Sequence, residues 1–204
     1  MIIKLILPIL VGYLIGSIPF GFLAGISRGI DLRKTGSGNI GATNTLRALG
    51  AMPAAAVFIL DLLKGTFAVY FAKLILPSHP AILSNEFFVV ISGVAAVIGH
   101  IYPIYLGFKG GKGSATGLGV LAGIAPDLFV VAMIYVAAAV AITRIVSVTS
   151  ITGVILLAIL MFAFHKPIEY SIAAIIVAIL VIYKHIPNIK RLFSGTEPRI
   201  WGKK

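Results

Sequence analysis

The chain predicts an all-α, polytopic integral membrane protein of about seven transmembrane helices, and three observations carry that prediction. First, 59% of its 204 residues are hydrophobic and only 11% are charged, whereas charged residues alone make up near a quarter of a soluble domain. Second, the mean hydropathy is +1.09. Third, apolar runs recur along the whole chain, bounded by Pro, Gly or charge, and lack the two-residue alternation of a membrane barrel. At roughly 20 residues per crossing, the length allows about six to eight spans.

Seven candidate spans follow in order, at about 2–25, 53–76, 86–106, 114–126, 128–143, 150–165 and 168–184. The first has no Ala-x-Ala-like cleavage site and a longer apolar run than a signal peptide, so it is expected to be a retained helix, kinked at Pro8 and Pro19. The second carries Asp61 and Lys64 one helical turn apart, a costly pair at membrane depth. It reads best as a self-neutralising pair that locks helices. The third ends at His100, Tyr102 and Pro103, placed to orient the loop that follows. The fourth and sixth are short, which calls for thinned bilayer or screening by neighbouring helices.

Basic residues set the orientation. Arg28, Arg33, Lys34, Arg47, Lys109, Lys112, Arg144, Lys184, Lys190, Arg191, Arg199, Lys203 and Lys204 fall on one side, while Lys4, Lys73 and Lys166 fall on the other. The positive-inside rule makes the richer side cytoplasmic. The N-terminus is then outside and the C-terminus inside, which requires an odd number of spans. The +11 net charge fits basic loops against anionic lipid, and without a soluble basic domain it does not point to nucleic acid. Four histidines, His79, His100, His165 and His185, are far apart and no cysteine is present, so neither a metal site, a disulfide nor another cofactor is expected.

Three polar islands interrupt this apolar chain, and the topology places all of them on the cytoplasmic side. The first, Thr35 to Asn44, offers the side chains of Ser37, Asn39, Thr43 and Asn44 among Gly36, Gly38 and Gly41. A helix expected to begin near Thr43 or Asn44 would present its N-terminus to an anion, with Arg47 a turn further on. The second island, Gly107 to Thr116, sets Lys109 and Lys112 among Gly110, Gly111 and Gly113, a phosphate cradle in composition. It is not a Walker A loop, since only three residues separate Gly107 from Gly111 and Gly113 stands where Ser or Thr should follow Lys112. Ser114 and Thr116 are placed to cap the next helix. The third island, Lys184 to Arg191, contains His185 and Asn188 at helical spacing, with a break expected at Pro187. There His185 is a candidate general base or substrate ligand beside Asn188 and Arg191.

Taken together, these motifs resemble the acyl-phosphate-dependent glycerol-3-phosphate acyltransferases of bacteria, the PlsY family. Ser37-Gly38-Asn39-Ile40-Gly41-Ala42-Thr43-Asn44 with Arg47 resembles its first motif, Gly99-His100 through Phe108-Lys109-Gly110-Gly111-Lys112-Gly113 its second, and Lys184-His185 with Asn188, Arg191, Gly195 and Glu197 its third. Asp61-Leu62-Leu63-Lys64-Gly65 matches another recurrent stretch. The resemblance implies a seven-helix inner-membrane enzyme that transfers a fatty acyl group from acyl phosphate to the sn-1 hydroxyl of glycerol 3-phosphate. Lysophosphatidic acid and inorganic phosphate would be the products, with no acyl-CoA or acyl carrier protein as direct donor. In keeping with this, no His-x4-Asp dyad exists: Tyr105, Tyr170 and Lys190 stand where its aspartate would follow His100, His165 and His185.

On this reading Ser37, Gly38, Asn39, Thr43, Asn44, Arg47, Lys109, Lys112, Ser114 and the Gly110 to Gly113 backbone bind phosphate and stabilise the oxyanion. His185, Asn188 and Arg191 hold glycerol 3-phosphate, and His185 is the protein's candidate base. The expected partners are the two substrates and membrane lipid, with no obligate protein partner and no nucleic acid. The rival class is a phosphate or organophosphate transporter, with the islands lining a pore and Asp61 with Lys64 as a gate. The absence of an internal repeat and the gathering of the islands on one face weigh against it.

Overall fold

The computed structural model describes residues 2–76 and 84–201, apart from the side chains at positions 2 and 4. The expectations for His79, Lys203, Lys204 and the side chain of Lys4 therefore lie outside the described residues. Within them the chain is helical and contains no strand: α1 Ile2–Gly16, α2 Phe20–Ile26, α3 Ala42–Leu49, α4 Ala51–Ile75, α5 Asn85–Ile101, α6 Ser114–Ile124, α7 Pro126–Thr143, α8 Val146–Ala163, α9 Ile168–Lys184 and α10 Ile186–Phe193. Five segments are long and apolar enough to cross a membrane, and six if the bent pair α9 and α10 counts as one. They occur in the expected order, with α6 as a seventh, shorter apolar helix.

The first expected span runs as one segment, Leu5–Ile26, interrupted ahead of Phe20. Pro19 has no N–H to continue a helix, so α1 stops at Gly16 and α2 restarts at Phe20, whereas Pro8 stays inside α1. The sixth span begins at Val146 instead of 150 and reaches 18 residues. Its polar start misleads the sequence reading, because Thr149 Oγ1 donates to the Ile145 carbonyl and Ser147 Oγ to Glu197, so both hydroxyls are satisfied within the fold. Helix α6, with 11 residues, measures about 16 Å and does not match the ~30 Å hydrocarbon core. It packs on α4, where Gly119 lies against the Leu62 carbonyl and Gly65 against that of Thr116 so closely that a Cβ at either glycine has no room. Lys73 Nζ of α4 donates to the Gly123 carbonyl at 2.7 Å and satisfies the far end of α6.

The same kind of contact joins α1 to α5, with Gly16 against the Ala96 backbone. Buried Ser92 of α5 sets its hydroxyl 2.7 Å from the Pro8 carbonyl and 3.1 Å from that of Ala68, linking α5 to both α1 and α4. One apolar core, containing Val69, Val97, Ile101 and Val120, fills the space between α4, α5 and α6. A second, containing Leu121, Leu128, Ala132 and Met161, joins α6 to α7, α8 and α9. These packed helices bring the three polar islands to one end of the bundle.

Candidate active site

The first island is folded by its own asparagine. Asn44, 1% exposed, donates through Nδ2 to the carbonyls of Leu32 and Thr35 at 3.1 and 2.9 Å and accepts the Ser37 N–H on Oδ1 at 3.0 Å. Both amide donors are engaged, so Asn44 staples the loop instead of offering its amide to a ligand. Gly36, at φ +58°, lies where any Cβ would run into that amide. Asn39 Oδ1 accepts the Gly41 N–H at 2.8 Å and turns the chain into α3, which begins at Ala42, one residue ahead of the expected start, behind an N-cap at Gly41. Ser37, Asn39, Thr43, Asn44 and Arg47 line the cavity described below, and Gly38 does not. Arg47 Nη2 makes one long contact, 3.4 Å, to the Pro198 carbonyl.

The second island differs from the expected open cradle. The N–H groups of Gly110 and Gly111 donate to the carbonyls of Ile101 and His100 at 3.1 and 3.0 Å. Both glycines pack against His100 so closely that a Cβ at either has no room. Lys109 is exposed and lies outside the cavity lining. Gly113, at φ +87°, is the N-cap of α6, and neither Ser114 nor Thr116 supplies a side-chain cap. Ser114 instead lines the cavity, its buried Oγ lacking a protein partner. Lys112 Nζ donates to Asn188 Oδ1 at 2.6 Å and joins the second island to the third. Burial holds the Lys112 ammonium down to about 8, with Arg191 and Arg47 adding repulsion and Glu197 opposing the fall.

In the third island the helix breaks at His185, just ahead of Pro187, which sits in the first turn of α10 after a 58° bend. Pro is tolerated in a first turn because its missing N–H would have no partner there. His185 Nδ1 lies 2.7 Å from the Val181 carbonyl. A carbonyl only accepts, so the proton sits on Nδ1 and leaves Nε2 of the neutral ring as an acceptor. Asn188 Nδ2 donates to Glu197 Oε1 at 2.6 Å, Ser147 Oγ to the same oxygen at 2.8 Å, and Arg191 Nε to Oε2 at 2.7 Å. Burial opposes the charge on Glu197, but these three donors outweigh it and hold the carboxyl below its usual range. Arg191 is engaged by that carboxylate and lies outside the cavity lining.

These pieces enclose a cavity of ≈ 180 Å³ lined by Ser37, Arg47 and Lys112, expected to bind phosphate and the oxyanion, and by His185, the candidate base, together with Asn188. Its other arm is apolar and runs between α7 and α8 past Val131, Val136, Val140, Val154 and Leu157. Sequence reasoning missed Glu197 as an organiser, along with Tyr135, Ser147 and Ser150 in the lining. The run of hydroxyls at Ser147, Thr149 and Ser150 was the available signal; nothing local marks Tyr135. It also treated Asp61 and Lys64 as a pair, but the cluster has three members. Asp61 Oδ1 lies 2.8 Å from Lys64 Nζ and 3.4 Å from His100 Nδ1, while Lys64 also donates to the Ile18 carbonyl at 3.0 Å. Asp61 and His100 reach the cavity, so this buried cluster stands directly behind the lysine loop.

Anion-seeking groups at one end of a cavity, and an apolar arm at the other, define a multi-helix membrane protein built to receive an amphiphile with an anionic head. Residues 6–195 match the model of the glycerol-3-phosphate acyltransferase family, and the chain belongs to that family. It is 42% identical over 204 residues to the glycerol-3-phosphate acyltransferase of Synechococcus sp. (strain CC9902), covering 100% of this chain and 98% of the relative. Against the enzyme of that name from Halalkalibacterium halodurans the identity is 43%, covering 94% and 93%. The crystal structure of PlsY (YgiH), an integral membrane glycerol 3-phosphate acyltransferase, in its glycerol 3-phosphate form is 37% identical. It superposes with a TM-score of 0.90, covering 97% of this chain and 96% of that one. The lysophosphatidic acid form of that protein gives 0.86 at 36% identity, with 96% and 94% covered.

Proposed function

We propose that this chain transfers a fatty acyl group from acyl phosphate to the sn-1 hydroxyl of glycerol 3-phosphate, yielding lysophosphatidic acid and inorganic phosphate. The observation that carries the reading is the single cavity with a basic, hydrogen-bonding end and an apolar arm. Both substrates bring a phosphate to the first, and the donor brings a chain to the second. Membership of the acyltransferase family supports the same reading, and nothing found supports a transporter.

The chemistry asks for positioning and charge stabilisation more than for covalent catalysis. Phosphate is a good leaving group, so the hydroxyl oxygen attacks the acyl carbonyl directly, the C–O bond to phosphate breaks, and no acyl-enzyme is needed. Lys112 and Arg47 face the phosphates, and the first-turn N–H groups of α6 behind Gly113 add a positive pole for the oxyanion and the departing phosphate. Ser37, Asn39, Thr43 and Ser114 offer further polar groups to the same space. Glu197 fixes the Asn188 amide so that its oxygen faces Lys112 and its nitrogen does not. His185, with Nε2 as acceptor, takes the hydroxyl proton or orients that hydroxyl while a phosphate oxygen takes it. Retention of near-normal turnover by His185→Ala at saturating glycerol 3-phosphate would exclude the first role.

The basic loops support a site on the cytoplasmic side of the inner membrane, where a water-soluble acceptor would meet a donor dissolved in the bilayer. Purified protein in lipid, given palmitoyl phosphate and glycerol 3-phosphate, is expected to release phosphate and form lysophosphatidic acid in equal amounts. Absence of both products contradicts the reading, since no compartments exist in that assay to conceal a transport activity.

A further inference from the structure

The apolar arm has to end, and where it ends decides which donors fit. Lipid tails and the arm are both apolar, so a methylene gains little hydrophobic free energy on passing from bilayer to protein. Shape is left to discriminate. A chain that fits is accepted, and one that overfills forces side chains off their preferred rotamers.

Along α8 the cavity wall runs from Ser147 to Leu157, about 15 Å at 1.5 Å per residue. That is roughly half of the ~30 Å hydrocarbon thickness, the depth of one leaflet. There the arm meets the core around Leu128, which is 0% exposed, with buried Ala132 forming the wall of this cavity and buried Met161 that of the next. Alongside the arm lies a second cavity of ≈ 60 Å³, apolar apart from Ser114 and walled by α5, α6, α8 and α9, which follows α6 from Ser114 down to Ile124 and reaches Met161 at depth. Ser114, Leu118, Val154 and Leu157 line both cavities, and below Ser114 the shared wall is Leu118, Val154 and Leu157. The division between them is thus made of apolar side chains, and the space beyond takes a few methylene-sized groups. Voids of this size are few in close-packed interiors.

We propose that this second cavity receives the distal methylenes of the donor's acyl chain, and that Leu118, Val154 and Leu157 set which chain lengths the enzyme accepts. The proposal rests on the acyl-phosphate reading and adds a specificity subsite to it. It assigns length selection to the partition and leaves the polar end indifferent to length.

The test is a competition among acyl phosphates from lauroyl to stearoyl at fixed glycerol 3-phosphate, with the lysophosphatidic acids resolved by mass. Val154→Phe fills the passage and is expected to cut use of the longest donors about fivefold or more relative to the shortest. Leu157→Ala widens it and is expected to shift the profile toward longer donors by a similar factor. A common change at all lengths, or none, overturns the proposal. A second arm uses the unaltered protein. An acyl phosphate with a terminal diazirine, irradiated without acceptor, is expected to label residues of the second cavity such as Val94, Ala173 or Val177. Labelling confined to the exposed flank of α7, around Ile134, overturns it. Wild-type protein that makes product from no donor removes the acyl-phosphate reading and the proposal together, whereas an active enzyme with an unchanged profile removes the proposal alone.

Discussion

The inner bundle of α1, α4, α5 and α6 and the outer pair of α7 and α8 are written in the same apolar residues yet are held in opposite ways. In the span formed by α5, 61% of residues are buried, against 11% in α7 and 17% in α8. The inner helices touch through glycines set against backbone carbonyls, as at Gly16, Gly65 and Gly119; α5 and α6 flank the loop that holds Lys112, and α2 and α3, packed on α4, flank that of Ser37. The outer helices expose bulky side chains such as Val130, Ile134 and Ile142 and contribute the wall of the apolar arm. Charge stabilisation needs donors held to a fraction of an ångström, and that is served by close packing. An acyl chain needs only a smooth apolar wall, which a loosely held helix pair supplies.

The largest effect that sharpens this contrast is loss of charge at the rigid end. Lys112→Ala is expected to lower kcat/KM by about 10²- to 10³-fold while thermal unfolding in detergent stays close to wild type. A parallel collapse of stability would move Lys112 from chemistry to structure. Next comes packing. Gly119→Val drives a side chain into the Leu62 carbonyl and is expected to cost about 1–3 kcal/mol or more. Ile134→Val on the lipid side of α7, by contrast, should stay within about 0.5 kcal/mol. Equal losses at the two sites would erase the distinction between the halves.

A subtler effect is read in pH. Because the Lys112 ammonium is held at about 8, the charge that recruits phosphate is present below that pH and lost above it. kcat/KM for glycerol 3-phosphate should therefore fall as pH rises through about 8. Glu197 supports that ammonium, so Glu197→Gln is expected to move the fall to lower pH, and a move upward would contradict the network. The smallest effect is at Lys109, exposed and outside the cavity. Lys109→Ala should change the phosphate-release rate by less than about twofold, as screened surface charges do.

How much of this was legible in the sequence divides along similar lines. Apolar runs forecast every membrane-length helix, because burying backbone in lipid leaves helices as the open choice. The islands forecast the cavity, because polar donors and glycines clustered with lysines suit an anion, which the positive-inside rule alone does not require. What stayed hidden was which of those groups face inward. Asn44, Gly110, Gly111 and Arg191 have the composition of ligand-binding residues, yet their hydrogen bonds are taken by Leu32 and Thr35, by the carbonyls of Ile101 and His100, and by Glu197. Those partners lie close by in the chain, but composition does not say which donor turns back onto its own loop and which faces a ligand. The joining of His100 to Asp61 and Lys64 was hidden because α5 meets α4 only in the packed bundle.

The central claim is that the two halves hold opposite ends of one donor molecule in one cavity. The measurement that tests it most directly is the dissociation constant of a non-reactive palmitoyl-length acyl phosphonate for wild type, Lys112→Ala and Val154→Phe. One shared cavity predicts that both variants weaken binding, Lys112→Ala by about tenfold or more through loss of a charge-assisted contact. It predicts as well that Val154→Phe spares a short-chain analogue of the same head group. Long-chain binding left unchanged by either variant would show that head and tail are not held together, and would contradict the claim.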